Sequence, residues 1–223
     1  MKVWVVIPAY NEGEALGVLL QELKKRGLAT IVVDDGSGDC TYGIAAQHAH
    51  HVIRHKRNLG KGRSLREAIA YLLEREVFDY LITMDADGQH APSDLPLFLD
   101  EANRGTHFVL GNRMHNPFSM PRVRIITNKL MSWLISRLTR QVIPDSQCGF
   151  RLIKKEVLEK IQVHTDKFEI ESEILFNASR AGFAIKSIPI QSIYFKHKKS
   201  NIRPFADAAR FINLLFRLNH DRS

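Results

Sequence analysis

Short, unbroken apolar runs, each stopped by a polar or glycine-containing cluster, constrain this chain's fold more than any other feature. Residues 3–7 end at Pro8, residues 30–33 at Asp34-Asp35-Gly36-Ser37-Gly38, and residues 80–84 at Asp85-Ala86-Asp87-Gly88-Gln89. Runs without polar alternation suit strands buried on both faces, as in a parallel sheet. Between them lie segments of helical spacing. Residues 14–26 carry Leu16, Leu19, Leu20 and Leu23 on one face and end at Gly27. A second helix, capped by Ser37 or Asp39, runs to about His50, a third spans 62–75, and a fourth, also capped, spans 93–103. Short strands at 51–54 and 107–110 complete a β-α-β-α alternation over residues 1–111. It predicts an α/β fold, a mostly parallel sheet with helices on both faces, as a single domain.

Past Gly111 the pattern loosens. Residues 122–140 read as one amphipathic helix or two, 149–153 as a strand, 169–181 as a helix and 184–190 as a strand. A last helix spans 204–218, with Phe205, Ala208, Phe211, Ile212, Leu215 and Leu218 mainly on one face. That face either packs on the domain or lies on a membrane.

Charge divides the chain at the same place. The net +8 of the 223 residues resolves into −3 for residues 1–111 and +11 for residues 112–223. A basic half attracts phosphates, nucleic acid or anionic lipid through its long-range field. A charged share of 25% beside 44% hydrophobic residues excludes a disordered or collagen-like chain. Cys40 and Cys148 give no disulfide framework, so a reducing, cytoplasmic setting is expected. Lys129 and Arg137 interrupt the best membrane-span candidate, so any membrane contact is expected to be peripheral or through a partner protein.

The polar clusters sit where open α/β sheets bind ligands, outside the carboxyl ends of strands. Alternation along an extended chain would turn Asp85, Asp87 and Gln89 to one side, a hard-oxygen site for Mg²⁺ or Mn²⁺ on a diphosphate. A solvated turn is the competing reading. Asp35, at the end of the second strand, can accept a ribose or base donor, or serve a turn. Tyr10 can stack on a base, and Glu12 can receive a donor or open a helix. Asn58-Leu59-Gly60-Lys61-Gly62 is glycine-rich and basic before a helix and can cradle a phosphate, yet matches neither a P-loop nor a dinucleotide fingerprint.

In this order, IPAYNE (7–12), VVDDGSGD (32–39), NLGKG (58–62), MDADGQH (84–90) and DSQCGFR (145–151), with a weaker EIESEIL (169–175), resemble the family-2 inverting glycosyltransferases of the GT-A fold. Within them the chain is similar to the dolichyl-phosphate mannosyltransferase and polyprenyl-phosphate glycosyltransferase branch. The resemblance runs to about residue 200. It implies that residues 1–111 bind a nucleotide-sugar and 112–203 bind the acceptor, and the apolar spacing sets 204–219 apart as an appended amphipathic helix. It implies that Pro8, Tyr10, Glu12, Val33 and Asp35 hold the nucleoside, and that Asp85, Asp87 and Gln89 hold the metal. By the same resemblance Arg113 serves the phosphates and Arg124 and Thr127 meet the acceptor phosphate. Asn112 stands where the family has Ser. The branch's late arginine has no clean counterpart, Lys198 or a neighbouring basic residue taking its place.

The expected reaction moves a hexose from a nucleotide-sugar to a polyprenyl phosphate. A lipid phosphate is already anionic and needs no strong base. A sugar hydroxyl acceptor would need a carboxylate, for which Asp145, Glu171 and Glu173 are candidates, Glu173 being favoured by the motif. Two other readings are weaker. A nucleic-acid-binding protein would leave the acidic clusters unexplained and lacks interleaved aromatics. A nucleotidyltransferase would not carry these ordered blocks.

Overall fold

The computed structural model describes residues 1–118, 120–167 and 169–193. The predicted helix over 204–218, and Lys198, lie outside them. β1 (Val3–Ala9), α1 (Gly13–Lys25), β2 (Ala29–Asp34), α2 (Thr41–His48), β3 (His51–Arg54), α3 (Lys61–Arg75) and β4 (Tyr80–Thr83) follow one another in the expected alternation. A 3-10 turn at Pro92–Asp94 leads into α4 (Leu95–Asn103), and β5 (Phe108–Asn112) closes the first half. Then come α5 (Arg122–Thr139), β6 (Arg151–Lys154), α6 (Lys155–Lys160), α7 (Ile170–Arg180) and β7 (Ile185–Pro189). Residues 122–140 are thus one helix. The six-residue α6 is too short to have left a periodic signal in the sequence.

The strands form one seven-stranded sheet in the order β3-β2-β1-β4-β6-β5-β7. β1 pairs in parallel with both β2 and β4, so the connection reverses direction across the sheet at β1 and opens the crevice expected of doubly wound folds. Among the described strands only β6 runs antiparallel, pairing β4 on one side and β5 on the other, with Thr83 opposite Arg151. A strand that begins where its neighbours end delivers its preceding loop to their carboxyl rim. Residues 145–150 therefore reach the rim from the second half of the chain.

The strands read as buried because they are. Val5, Val6, Ile7, Ile31, Val32, Val33, Leu81 and Ile82 are fully inaccessible. α1 turns Leu16, Leu19, Leu20 and Leu23 onto the sheet. The N-cap of α2 is Cys40, with no side-chain cap bond, correcting the expected cap by Ser37 or Asp39; Asp39 Oδ1 accepts the Thr41 N–H at 2.9 Å from one residue further out. Ser37 instead accepts the Asn11 N–H at 2.9 Å, tying the loop after β1 to the loop after β2. The helix read at 93–103 starts at Leu95 and has no side-chain cap bond, correcting the expected cap there.

Candidate active site

At the rim of β4 the extended geometry stops at Thr83, and residues 86–88 turn, with Gly88 at φ 74°. Asp87 Oδ1 accepts the Gln89 N–H at 2.9 Å. Strand alternation therefore does not align Asp85, Asp87 and Gln89, correcting the period-two argument. A tight turn carries them.

Asp85 is the hub of this rim. Its Oδ1 lies 2.5 Å from Lys61 Nζ, which also meets Glu171 Oε1 at 2.6 Å. The Asp85 N–H is donated to His90 Nδ1 at 3.2 Å. Burial alone would raise the Asp85 carboxyl, but the charges of Lys61, His90 and Arg113 hold it well below the ordinary range. Burial alone would lower the Lys61 ammonium, but Asp85 and Glu171 outweigh that and hold it well above its ordinary value. His90 is pushed down, chiefly by burial, against the pull of Asp85. The rim thus keeps a carboxylate and an ammonium both ionised at neutral pH. Gly149, delivered by the antiparallel β6, faces this pair. A Cβ there would come 2.7 and 2.8 Å from the Asp85 oxygens and 2.9 Å from Lys61 Nζ.

The loop carrying Lys61 is built from the end of β2. Asp35 is buried, and its Oδ1 accepts the Leu59 N–H at 2.7 Å while Oδ2 accepts the Gly60 N–H at 2.8 Å. His55 Nδ1 lies 2.7 Å from Asp35 Oδ1, and Nε2 lies 2.8 Å from Glu67 Oε2. From the other side, residues 166–167 press on the loop. At Gly62 a Cβ would meet Asp166 and Lys167 backbone within 2.5–2.7 Å, so only glycine allows this approach. A cleft of about 330 Å³ opens here, lined by Gly36, Ser37, Arg54, His55 and Lys56. Of the expected nucleoside residues, Tyr10 is exposed, Pro8 and Glu12 are half-buried, and Val33 is fully inside the sheet.

Across the rim, Arg113 donates to Asp145 through Nε (2.8 Å) and Nη2 (2.9 Å), a two-pronged pair. Asp145 also accepts from Asn128 Nδ2 at 2.6 Å, and Ser132 Oγ donates to Asn128 Oδ1 at 2.9 Å. Although burial pushes the Asp145 carboxyl up, Arg113 and these hydrogen bonds hold it below the usual range. Arg151, fully buried, donates to the carbonyls of Cys148, Ser146 and Glu171 at 2.6–2.9 Å, fastening the loop before β6 to the start of α7. Burial raises the Cys148 thiol to about 12, which suits packing and not nucleophilic attack.

α5 is apolar on both sides: Ile135 is buried, and Met131 and Leu134 pack on the core. Asn128 and Ser132 point inward to the Asp145 network, with Ile135 and Thr139. Val123, Ile126, Leu130 and Trp133, one stripe at helical spacing, are each 57–67% exposed. The helix carries Arg122, Arg124, Lys129 and Arg137 and no acidic residue. Thr127 is exposed, and its hydroxyl donates to the Val123 carbonyl of its own helix at 3.0 Å.

A family model described as glycosyl transferase family 2 matches residues 4–162. The chain belongs to that family. It is 35% identical over 208 residues to the uncharacterized protein MJ1222 of Methanocaldococcus jannaschii, spanning 89% of this chain and 84% of the other. It is 30% identical over 200 residues to the polyprenol monophosphomannose synthase of Mycolicibacterium smegmatis, spanning 83% and 75%. The crystal structure of glucosyl-3-phosphoglycerate synthase from Mycobacterium tuberculosis, solved with Mn²⁺, UDP and glucosyl-3-phosphoglycerate, superposes with a TM-score of 0.73. It covers 99% of this chain and 79% of that one at 17% identity, a likeness of fold.

The protein is therefore a glycosyltransferase of GT-A fold, and the rim is its candidate active site. Asp85, Lys61 and Glu171 are brought together there, and the charge of Arg113 reaches Asp85. Glu173 is not part of that cluster. Its two oxygens accept the N–H groups of His164 and Thr165, each at 2.9 Å, and the Thr165 hydroxyl at 2.6 Å. That geometry makes it a brace of the 162–167 loop and corrects the expectation of a catalytic base. Sequence reading passed over His55, Asn128, Arg151 and Gly149. A histidine just after a strand and a glycine inside a motif carry no signal until the loops around them are folded.

Proposed function

We propose that this glycosyltransferase moves a hexose from a nucleotide-sugar to a polyprenyl phosphate, with inversion, while docked on the inner face of a membrane. The exposed apolar stripe of α5 carries this reading. It lies on the helix whose inner face holds Asp145, the partner of Arg113, and basic residues flank it. An exposed apolar patch bordered by cations suits an anionic lipid surface, and docking there would bring a lipid acceptor towards the rim. Among the described residues no helix is long and apolar enough to cross a membrane.

The state of the three candidate bases supports a phosphate acceptor. Asp145 is committed to Arg113, Glu171 to Lys61, and Glu173 to backbone. A phosphate oxygen is already anionic and asks for no proton acceptor, whereas a sugar hydroxyl does. The name of the mycobacterial relative, a polyprenol monophosphomannose synthase, agrees. So does the +11 charge of residues 112–223.

Among the described residues no three His, Cys, Asp or Glu side chains form a closed metal cage. Asp85 and Asp87 nonetheless fit Mg²⁺ or Mn²⁺, which bind through one or two carboxylates and complete their shell with substrate phosphates. The clearance that Gly149 leaves over the Asp85 oxygens fits as well. Gln89 would stand by as a further oxygen ligand. When bound, the cation neutralises charge on the departing nucleoside diphosphate. Lys61 keeps Asp85 ionised, and Asp145 holds the Arg113 guanidinium at the rim for phosphate oxygens. Tyr10, Glu12 and Asp35 would serve the nucleoside, and Arg124 and Thr127 the acceptor phosphate, with Lys198, outside the described residues, the further candidate there.

The test is direct. Purified protein with Mn²⁺ is offered GDP-mannose, UDP-glucose and UDP-N-acetylglucosamine, each with undecaprenyl phosphate in micelles or with free oligosaccharides. Sugar-phosphate-lipid is the expected product. Transfer only to sugar hydroxyls would overturn the proposal.

A further inference from the structure

We propose that His55 is a positioning residue for donor binding: clamped between Asp35 and Glu67 as an imidazolium, it fixes the Asp35 carboxylate that suspends the Lys61 loop. This rests on the reading of the rim as the donor site.

The geometry is specific. His55 is 8% exposed, and each ring nitrogen faces a carboxylate oxygen, at 2.7 Å for Asp35 and 2.8 Å for Glu67. A neutral imidazole has one N–H and one lone pair, so it can serve only one of the two. The other carboxylate would then face a lone pair at hydrogen-bond distance. Only the protonated ring satisfies both. Asp35 in turn has little freedom, because the same Oδ1 accepts the Leu59 N–H and Oδ2 the Gly60 N–H. Two residues on, Lys61 reaches Asp85 and Glu171. The chain of contacts thus runs from β3, through the end of β2, to the hub carboxylate at the end of β4.

The charged groups around the ring agree. Asp35 comes from the end of β2 and Glu67 from α3. Behind Glu67 stands Arg63, its Nε at 2.5 Å. Arg54 beside it is drawn to Asp34 at 3.2 Å, and Lys56 lines the cleft on the open side. Burial alone would lower the imidazolium, yet the bonds to Asp35 and Glu67 outweigh it and raise its pKa above the ordinary value. A raised folded-state pKa means the clamp is complete below the unfolded value of about 6.5 and is lost as pH rises through the folded one.

The experiment has a substrate-free arm and a kinetic arm on the full chain. Amide exchange by NMR follows Leu59 and Gly60 against Val5 and Val6 of β1 from pH 6 to 9. In the wild type, protection of Leu59 and Gly60 should fall, beyond the intrinsic pH effect, as the His55 ring loses its proton. In His55→Gln it should be low throughout while β1 stays protected. Wild-type protection persisting in that variant would overturn the proposal. If the variant fails to fold, Glu67→Gln decides: the His55 ring titration should move to lower pH and carry the Leu59 and Gly60 transition with it, and an unmoved transition would refute the clamp. In the kinetic arm, with whichever of GDP-mannose or UDP-glucose is turned over, His55→Gln should raise donor KM about tenfold at pH 7, the loss of one charge-assisted bond, with kcat within about twofold. A fall in kcat at unchanged KM would count against positioning. Absence of turnover with every donor would speak against the transferase reading alone, and amide exchange would still decide the clamp.

Discussion

Lys61 and Asp85, which lie on opposite sides of the crevice in sequence, meet at 2.5 Å where α3 begins and β4 has ended. The pair joins the glycine-rich loop to the acidic turn, and Glu171 extends it to α7. Three otherwise separate elements share one buried ammonium.

Removing that ammonium should leave two carboxylates facing each other without compensation. Lys61→Met is expected to destabilise the fold by about 3 kcal/mol, the usual effect of stripping one partner from a largely buried ion pair. Urea unfolding measures it. Lys61→Met combined with Glu171→Gln should recover part of the loss, and no recovery would mean that the two charges are not coupled.

Asp87 should behave differently, because its Oδ1 serves a turn and it is not part of the Lys61 pair. Asp87→Ala is expected to keep the fold and lose the thermal stabilisation that Mn²⁺ with a nucleotide-sugar confers on the wild type. An undiminished shift in this variant would remove Asp87 from the metal site.

Gly149 tests how closely the rim is fitted. A methyl group there must displace the Asp85 oxygens or the end of Lys61, both soft side-chain neighbours rather than backbone. The expectation for Gly149→Ala is a folded protein whose transfer rate falls about 100-fold, as a displacement near 1 Å at a reacting centre does. Wild-type activity in this variant would show that the rim tolerates the shift.

The stripe on α5 separates stability from docking. Leu130→Glu with Trp133→Glu places charge where solvent already reaches, so the melting temperature should stay within a few degrees. Co-sedimentation with vesicles containing anionic lipid should drop sharply. Binding equal to wild type would reject α5 as the docking face.

Much of the first half was legible in the sequence for a simple reason. Strands buried on both faces must be apolar throughout, so residues 3–7, 30–33 and 80–84 announce themselves, and polar residues can resume only at the rim. The rim's internal geometry was less legible. Alternation misjudged Asp85 to Gln89 because the extended chain already stops at Thr83 and then turns through residues 86–88, where Gly88 takes a positive φ. Glu171 and Glu173 are two residues apart on a helix and therefore point differently. Only the folded position of Lys61, 110 residues away in sequence from Glu171, distinguishes them. The orientation of α5 was beyond pattern reading for the same reason. The helix carries two apolar stripes, and Asn128, reaching Asp145 across 17 residues, sits beside the one with Met131, Leu134 and Ile135 that turns inward.

The two faces of α5 meet different demands. Asn128 and Ser132, inward beside Met131, Leu134 and Ile135, must match donors to acceptors in direction as well as distance, so few replacements of either would keep Arg113 in place. Outward positions answer only to greasiness and bulk. On the proposed docking reading, Val123, Ile126, Leu130 and Trp133 can therefore drift among large apolar residues while the site behind them stands still.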